Sequence, residues 1–188
     1  MFIKNFKKLA KTPLRKNALE IIESGFWAIY PPNVFKKEIS LKGDILTIKN
    51  EKINLEKFKN IYFIGIGKAA AFSAKYFSQI LGNRITEGAI IDIQKIKLSK
   101  IKSFVGDHPF PSKRNIEATK KIIEIDKKAQ KNDLIITIVS GGGSALFFYP
   151  YQLSVLNYQK LTKKLFEVGA NIKEINTIRK HISYVKGG

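Results

Sequence analysis

Cysteine is absent from the 188 residues, so neither a disulfide nor a thiolate-ligated metal is available to the chain. Arginine is scarce as well. Of 34 basic residues only Arg15, Arg84, Arg114 and Arg179 are arginines, and the rest are lysines spread along the whole length. Base-reading surfaces lean on arginine forks and stacked aromatics, and no such cluster occurs. No apolar run approaches the length of a membrane span. The basic N-terminal stretch MFIKNFKKLAKTPLRKN lacks the apolar centre of a signal peptide and reads as a surface helix or arm. With two histidines and no cysteine, a zinc site would need carboxylates at positions the sequence does not suggest. These absences are compatible with a cytoplasmic chain that has no specific nucleic-acid partner and no membrane partner.

What the sequence has in quantity is lysine and isoleucine, the pair that an AT-rich coding sequence favours. The net charge of +19 and the pI near 10.0 are therefore read mainly as composition, a lysine-solvated surface. A hydrophobic fraction of 44% makes the chain globular, and 188 residues suffice for one domain with a sizeable core.

The hydrophobic pattern changes period repeatedly. Leu14, Ala18, Ile21, Ile22 and Ile29 give a helical spacing over residues 14–30, which YPPN breaks. EISLKGDILTI reads as a hairpin turning at Lys42-Gly43-Asp44. IYFIGIG is a buried strand, KAAAFSAKYFSQIL a helix, and GAIIDI and SFVGD two further strands. IEATKKIIEIDKKAQ is a helix with Ile116, Ile122 or Ile123 and Ala129 inward, and DLIITIVS is a fully apolar strand. LNYQKLTKKLFEV is a helix with Leu161, Leu165 and Val168 at three- and four-residue steps, ended by Gly169. IKEINTIRKHISYV places Ile172, Ile175, Ile178, Ile182 and Val185 on one face and Asn176, Arg179, Lys180 and Ser183 on the other. Apolar strands alternating with helices predict an α/β fold, Rossmann-like and three-layered, on a mostly parallel sheet. Ligands bind such sheets at the carboxyl ends of the strands. The loops GIGKAA, GDHPFP and SGGGSAL each follow a strand and are expected on one rim.

Two of these loops carry a chemical suggestion. FIGIGKAAA fits GxGxxA through Gly65, Gly67 and Ala70, with Asp92 ending the next strand. That short pattern suits a dinucleotide and suits a packing turn equally. Lys68 leads the following helix, where a cation opposes the helix dipole unless an anion sits nearby. In TIVSGGGSALF, Ser140 and Ser144 bracket Gly141, Gly142 and Gly143, a backbone suited to wrapping phosphate or carboxylate and not a GxSxG nucleophile elbow. His108 and His181 lie in dense polar motifs. Phe147, Phe148 and Tyr149 read as core or rim packing.

GIGKAAA, GDHPFPS, VSGGGSAL and GANIKEINTIRKHISYVKGG stand in the order and approximate spacing found in the glycerate 2-kinases, whose second domain is called MOFRL. The chain resembles that family from about Leu14 to Gly188. The resemblance implies transfer of phosphate from ATP, with Mg²⁺, to the 2-hydroxyl of D-glycerate in a cleft between a Rossmann-like large domain and a small one. It maps a catalytic lysine to Lys68, the glycine-rich loop to Ser140–Ser144, and the helix motif to Asn176, Arg179, His181 and Lys186, with Asp107 and His108 in GDHPFPS. Which groups meet ATP and which meet D-glycerate stays open, as do the metal ligands and the oligomeric state. Family members are more than twice as long. The chain is thus expected to be an N-terminal portion of the large domain, incomplete at its C-terminus, partnered by a separate chain or inactive alone. Ser112 departs from the family, which often carries Asp or Asn there. The rival readings are a hydroxypyruvate reductase using NAD(P)H, supported by GxGxxA, and a basic non-enzymatic binding protein.

Overall fold

The helices that begin after Thr12, Ser112, Ser154 and Asn171 start at small polar residues whose side chains satisfy otherwise orphaned amides. In the computed structural model, which describes residues 1–187, the chain divides into two units, Met1–Asn54 and the part from Leu55 onward. In the first unit, α1 spans Phe6–Leu9 and α2 spans Pro13–Ile29. Thr12 caps α2 by accepting a hydrogen bond from the Arg15 amide, with Pro13 in the first turn. The YPPN stretch ends α2 as expected, but its prolines also open a further helix, α3 (Pro31–Glu38). Proline at a helix start forfeits no hydrogen bond, which is why a breaker serves as an initiator here. The expected hairpin is β1 (Ile39–Lys42) and β2 (Ile45–Ile48), turning at Gly43 with φ +56°. A third antiparallel strand, β3 (Glu51–Asn54), extends it into a meander. The apolar stripe of α2 remains on the surface, with Leu14 80% and Ile21 74% exposed.

The second unit carries the parallel sheet. In chain order it contains β4 (Ile61–Ile66), α4 (Ala70–Leu81), β5 (Glu87–Asp92), β6 (Ile101–Val105), α5 (Lys113–Lys128) and β7 (Leu134–Val139). The short α6 (Gly143–Leu146), α7 (Val155–Glu167) and α8 (Ile172–His181) follow. The strands lie in the order β6-β5-β4-β7, all parallel. The chain therefore builds outward from β4 in one direction and then returns to its other side. The gap between the ends of β4 and β7 is a topological switch point, where such sheets hold ligands. The two faces of β4 pack on different helices. Tyr62, Ile64 and Ile66 join Ala118, Ile122 and Ile125 of α5, while Phe63 meets Phe77 of α4 with ring centroids 5.3 Å apart. These are the three expected layers.

α8 departs from its pattern. It ends at His181, so Ile182 and Val185 lie beyond it, and Ile172 is exposed. Its buried residues are Ile175 and Arg179, with Ser183 buried just past its end. The polar face, not only the isoleucine face, turns inward. α7 differs similarly, burying Tyr158 and Thr162 while Val168 is exposed.

One fully buried amide holds the rim of the sheet together. Asn115 Oδ1 accepts from the Asp107 and Ser112 amides, both at 2.9 Å, and Nδ2 donates to the carbonyls of Asp107, Ala145 and Leu146 at 3.0, 3.2 and 3.1 Å. It joins the loop after β6, the start of α5 and the end of α6. In the sequence this residue belongs to a turn-rich loop. The Ser112–x–x–Asn115 spacing of a capping box was its readable part. Asn115→Leu strands several buried polar groups. It is expected to lower the unfolding free energy by about 3 kcal/mol or more in urea denaturation, whereas an unchanged midpoint would show that the rim holds without it.

Candidate functional site

The loops after β4 and β7 are fastened to each other. The Ser140 amide donates to the Ile66 carbonyl at 2.8 Å, and Ser140 Oγ accepts from the Ala69 amide at 3.0 Å. The Lys68 amide donates to the Gly141 carbonyl at 2.9 Å. A Cβ on Gly67, whose φ is +113°, would stand 2.3 Å from Ser140 Oγ. A Cβ on Gly65 would stand 2.6 Å from Ile90 Cγ2. The remaining amides at the start of α4 are also used. Ala70 donates to Gly67, and Ala71 donates at 2.8 Å to Asp92 Oδ2. The Gly67 amide donates to the Ile91 carbonyl at 3.0 Å, so of the two readings offered for Gly65 and Gly67, ligand turn or packing turn, the contacts seen are those of packing. Asp92, buried, also accepts from the Ile93 and Gln94 amides. Its carboxylate is committed to backbone, which removes the ribose-binding acid that the reductase reading needs.

Free donors lie one loop further on. Among the described residues, the amides of Gly141, Gly142 and Ser144 have no hydrogen-bond partner. The Lys68 and His108 side chains approach Gly142, with Lys68 Cε and His108 Cδ2 3.1 and 3.2 Å from the position of a Cβ there. The loops after β4, β6 and β7 thus share one rim, as expected. Two adjoining cavities open there, of about 450 Å³ on the His108 side and about 410 Å³ on the Lys186 side. Val139, Gly143, Ser144, Asn176 and Arg179 line both, and no lining residue of either is acidic. A larger groove, about 670 Å³, runs along α5 and the β4–β7 face and is lined mainly by apolar and tyrosine side chains.

The electrostatics follow from burial among cations. Burial first, and then Lys68 and Arg179, push the His108 imidazole below its usual range. Burial and then Arg179 lower the Lys186 ammonium to about 8. Lys186 Nζ donates to the Phe147 carbonyl and stands 6.0 Å from the Phe148 ring centroid. Arg179 is 8% exposed, and its Nε has no hydrogen-bond partner among the described residues.

Two of the sequence candidates are committed elsewhere. The Asp107 carboxylate accepts from Ser112 Oγ and from the Arg114 guanidinium, and the Ser112 hydroxyl first and then Arg114 hold it below the usual carboxylate range. His181 is exposed in the last turn of α8 and pairs its Nδ1 with the Thr177 carbonyl at 2.8 Å. Ser112 is the N-cap of α5, and Asp and Asn fill that position equally well. Its departure from the family therefore costs nothing in capping. Lys180 and the carbonyl of Phe147 are additions that the sequence did not single out as site groups. No group of three or more His, Asp or Glu able to hold a metal occurs among the described residues. With Asp92 committed to backbone and Asp107 to Ser112 and Arg114, the described residues lining the cavities include no carboxylate for Mg²⁺, which is usually bound through one or two.

The fold and rim define a Rossmann-type α/β domain whose switch point opens into two cavities with basic and no acidic residues among their described linings. The chain belongs to the family described as a domain of unknown function, DUF4147, which matches residues 17–188. It is 34% identical over 179 residues to a D-glycerate 2-kinase of Thermotoga maritima, and 31% identical over 178 residues to a glycerate 2-kinase of Pyrococcus horikoshii. Each match takes in 93% of this chain and 40% of the relative, so the chain spans about two fifths of the length of these curated relatives. A crystal structure of a Pyrococcus horikoshii protein superposes with a TM-score of 0.81 at 30% identity, over 94% of this chain and 40% of that one. A glycerate kinase structure from Thermotoga maritima superposes with a TM-score of 0.74 at 30% identity, over 93% and 40%.

Gly67→Ala is expected to destabilise the chain by about 2 kcal/mol or more, because the methyl meets Ser140 in a left-handed turn. Gly141→Ala, with open space at that position, is expected to stay within about 0.5 kcal/mol; equal melting temperatures for the two variants would refute the fastening. Lys186 supplies a pH test. Between about 8 and the ordinary 10.5, the folded chain holds fewer protons than the unfolded one. Its contribution to stability therefore rises with pH across that window, while anion affinity falls. Sulfate, whose charge is constant there, should bind at least about threefold more weakly at high pH. Lys186→Met should flatten that profile in calorimetric titration.

Proposed function

We propose that the chain carries the phosphoryl-transfer face of an ATP-dependent D-glycerate 2-kinase. The observation that carries this reading is the rim itself. At the carboxyl ends of β4 and β7, Lys68 approaches Gly142 beside three unpartnered amides, and Arg179 and Lys186 line adjoining cavities with no acid among their described lining residues. The names of the relatives supply the acceptor.

Phosphoryl transfer asks for positive charge and backbone donors around the migrating group, with the acceptor hydroxyl held in line. Lys68 and the Gly141, Gly142 and Ser144 amides form such a cradle beside His108. The D-glycerate 2-hydroxyl oxygen bonds to the γ-phosphorus as the bond from that phosphorus to the β–γ bridging oxygen breaks, leaving ADP. The hydroxyl proton needs an acceptor. His108, held neutral near pH 7 by burial and its cationic neighbours, is placed to take it and pass it to solvent. Mg²⁺ would neutralise phosphate charge in such a reaction, but the described residues offer no carboxylate for it, and no step above depends on it. A cytoplasmic location fits this chemistry; no described helix is long and apolar enough to cross a membrane. The reductase reading is disfavoured by the packed Gly67 turn and the committed Asp92.

Calorimetric titration of the 188-residue chain with ATP and, separately, NADH tests the choice. ATP is expected to bind and NADH not; NADH binding alone would overturn the reading. Lys68 is exposed, so Lys68→Met should keep the melting temperature and weaken ATP by about tenfold or more. Unaltered ATP affinity would remove Lys68 from the cradle.

A further inference from the structure

Arg179 is a guanidinium without a counter-ion. It is 8% exposed, its Nε is buried with no hydrogen-bond partner, and it makes no ion pair with any described carboxylate. It lines both rim cavities; the titratable groups that sense it are Lys186, His108 and the buried hydroxyl of Tyr158, and none of them is an acid of the carboxylate kind. A buried charge left unpaired is costly. The cavities it faces contain no acid that could relieve it.

We propose that Arg179 is the receptor for the carboxylate of a small organic acid, and that the phosphate-bearing partner sits instead on the shallower Lys68–Gly142 side of the same rim. Depth separates the two anions. The cost of burying an ion grows steeply with its charge, so a monoanion suits the enclosed guanidinium and a multiply charged phosphate suits water-accessible donors. Lys68, Gly141 and Ser144 are exposed, whereas Arg179 is buried and shares a cavity with Val139, Ile66 and Phe147. Shape agrees with charge. Beyond its enclosed Nε, the guanidinium carries terminal nitrogens in a planar fork that can grip both oxygens of a carboxylate, a contact lysine cannot reproduce. Asn176, half-buried in the wall shared by both cavities, supplies an amide to a hydroxyl next to that carboxylate. This assignment rests on the proposed kinase reading only for the identity of the acid.

The composition makes the test direct. Four arginines give four signals in an arginine Nε–Hε correlation spectrum of the 188-residue chain, and the one lost in Arg179→Gln is that of Arg179. Glycolate and D-glycerate should move this signal, while ATP moves it little. In Arg179→Lys, which keeps the charge, affinity for both acids should fall by about tenfold or more, with ATP affinity within about threefold of the parent. A melting curve checks that the variants fold, and the spectrum of the unaltered chain stands on its own if they do not. The assignment is overturned if ATP shifts the Arg179 signal and the acids do not. It is overturned equally if Arg179→Lys keeps full acid affinity, or if no acid shifts the signal at concentrations on the order of 100 mM. Equal binding of glycolate and D-glycerate, or acid binding without ATP binding, would support the receptor while counting against the D-glycerate kinase reading.

Discussion

The whole rim depends on a single close contact, that of Ser140 with the turn at Gly67. Ser140 reaches across from the end of β7, bonds Ile66 and Ala69, and occupies the space where any other residue at 67 would carry a side chain. This contact fixes the two central strands of the switch point to one another at their carboxyl ends. It also decides where chemistry can occur. Because the amides at the head of α4 are consumed, the unsatisfied donors move outward to Gly141, Gly142 and Ser144, and Lys68 is left with its backbone bound and its ammonium free to face them.

Around this fixed point the protein sorts its acids away from its cations. Asp92 is taken up by three amides, and Asp107 by Ser112 and Arg114. Asn115 braces the same region without bringing charge, since both ends of its amide are satisfied by backbone. The outcome is a positively charged hollow whose field is not cancelled locally. Burial first, and then the neighbouring cations, depress the proton affinity of Lys186 and His108.

Much of this was readable in the sequence because the governing signals are local. Apolar strands ending in glycine turns, alternating with helices, lead to a parallel sheet, and parallel strands necessarily gather their following loops on one edge. What was not readable depends on contacts between distant residues. Nothing near Gly67 announces that a serine more than seventy positions away will fill its turn, so a ligand-binding motif and a packing motif look alike. α8 shows a different failure. Its isoleucine spacing is strong, but the helix ends before the stripe does, and the long apolar stem of Arg179 lets a charged residue take an inward position. Asp107 and His181 sit in dense polar motifs, yet their partners, Arg114 and the Thr177 carbonyl, are a few residues along the chain. These pairings depend on where α5 begins and where α8 ends.

The outer edge of β7 has a consequence of its own. Pairing with β4 uses alternate residues: the Leu134 amide donates to Asn60 and the Ser140 amide to Ile66, which by the period of two directs Ile136 and Ile138 inward as well. The amides of Ile135, Thr137 and Val139 point the other way, and no described residue accepts from them. In heavy water the strand should therefore split into two interleaved populations, odd-numbered amides trading hydrogen for deuterium quickly and even-numbered ones slowly. The isotope pattern along six residues would report, without any ligand, whether this edge is open to solvent or has found another strand.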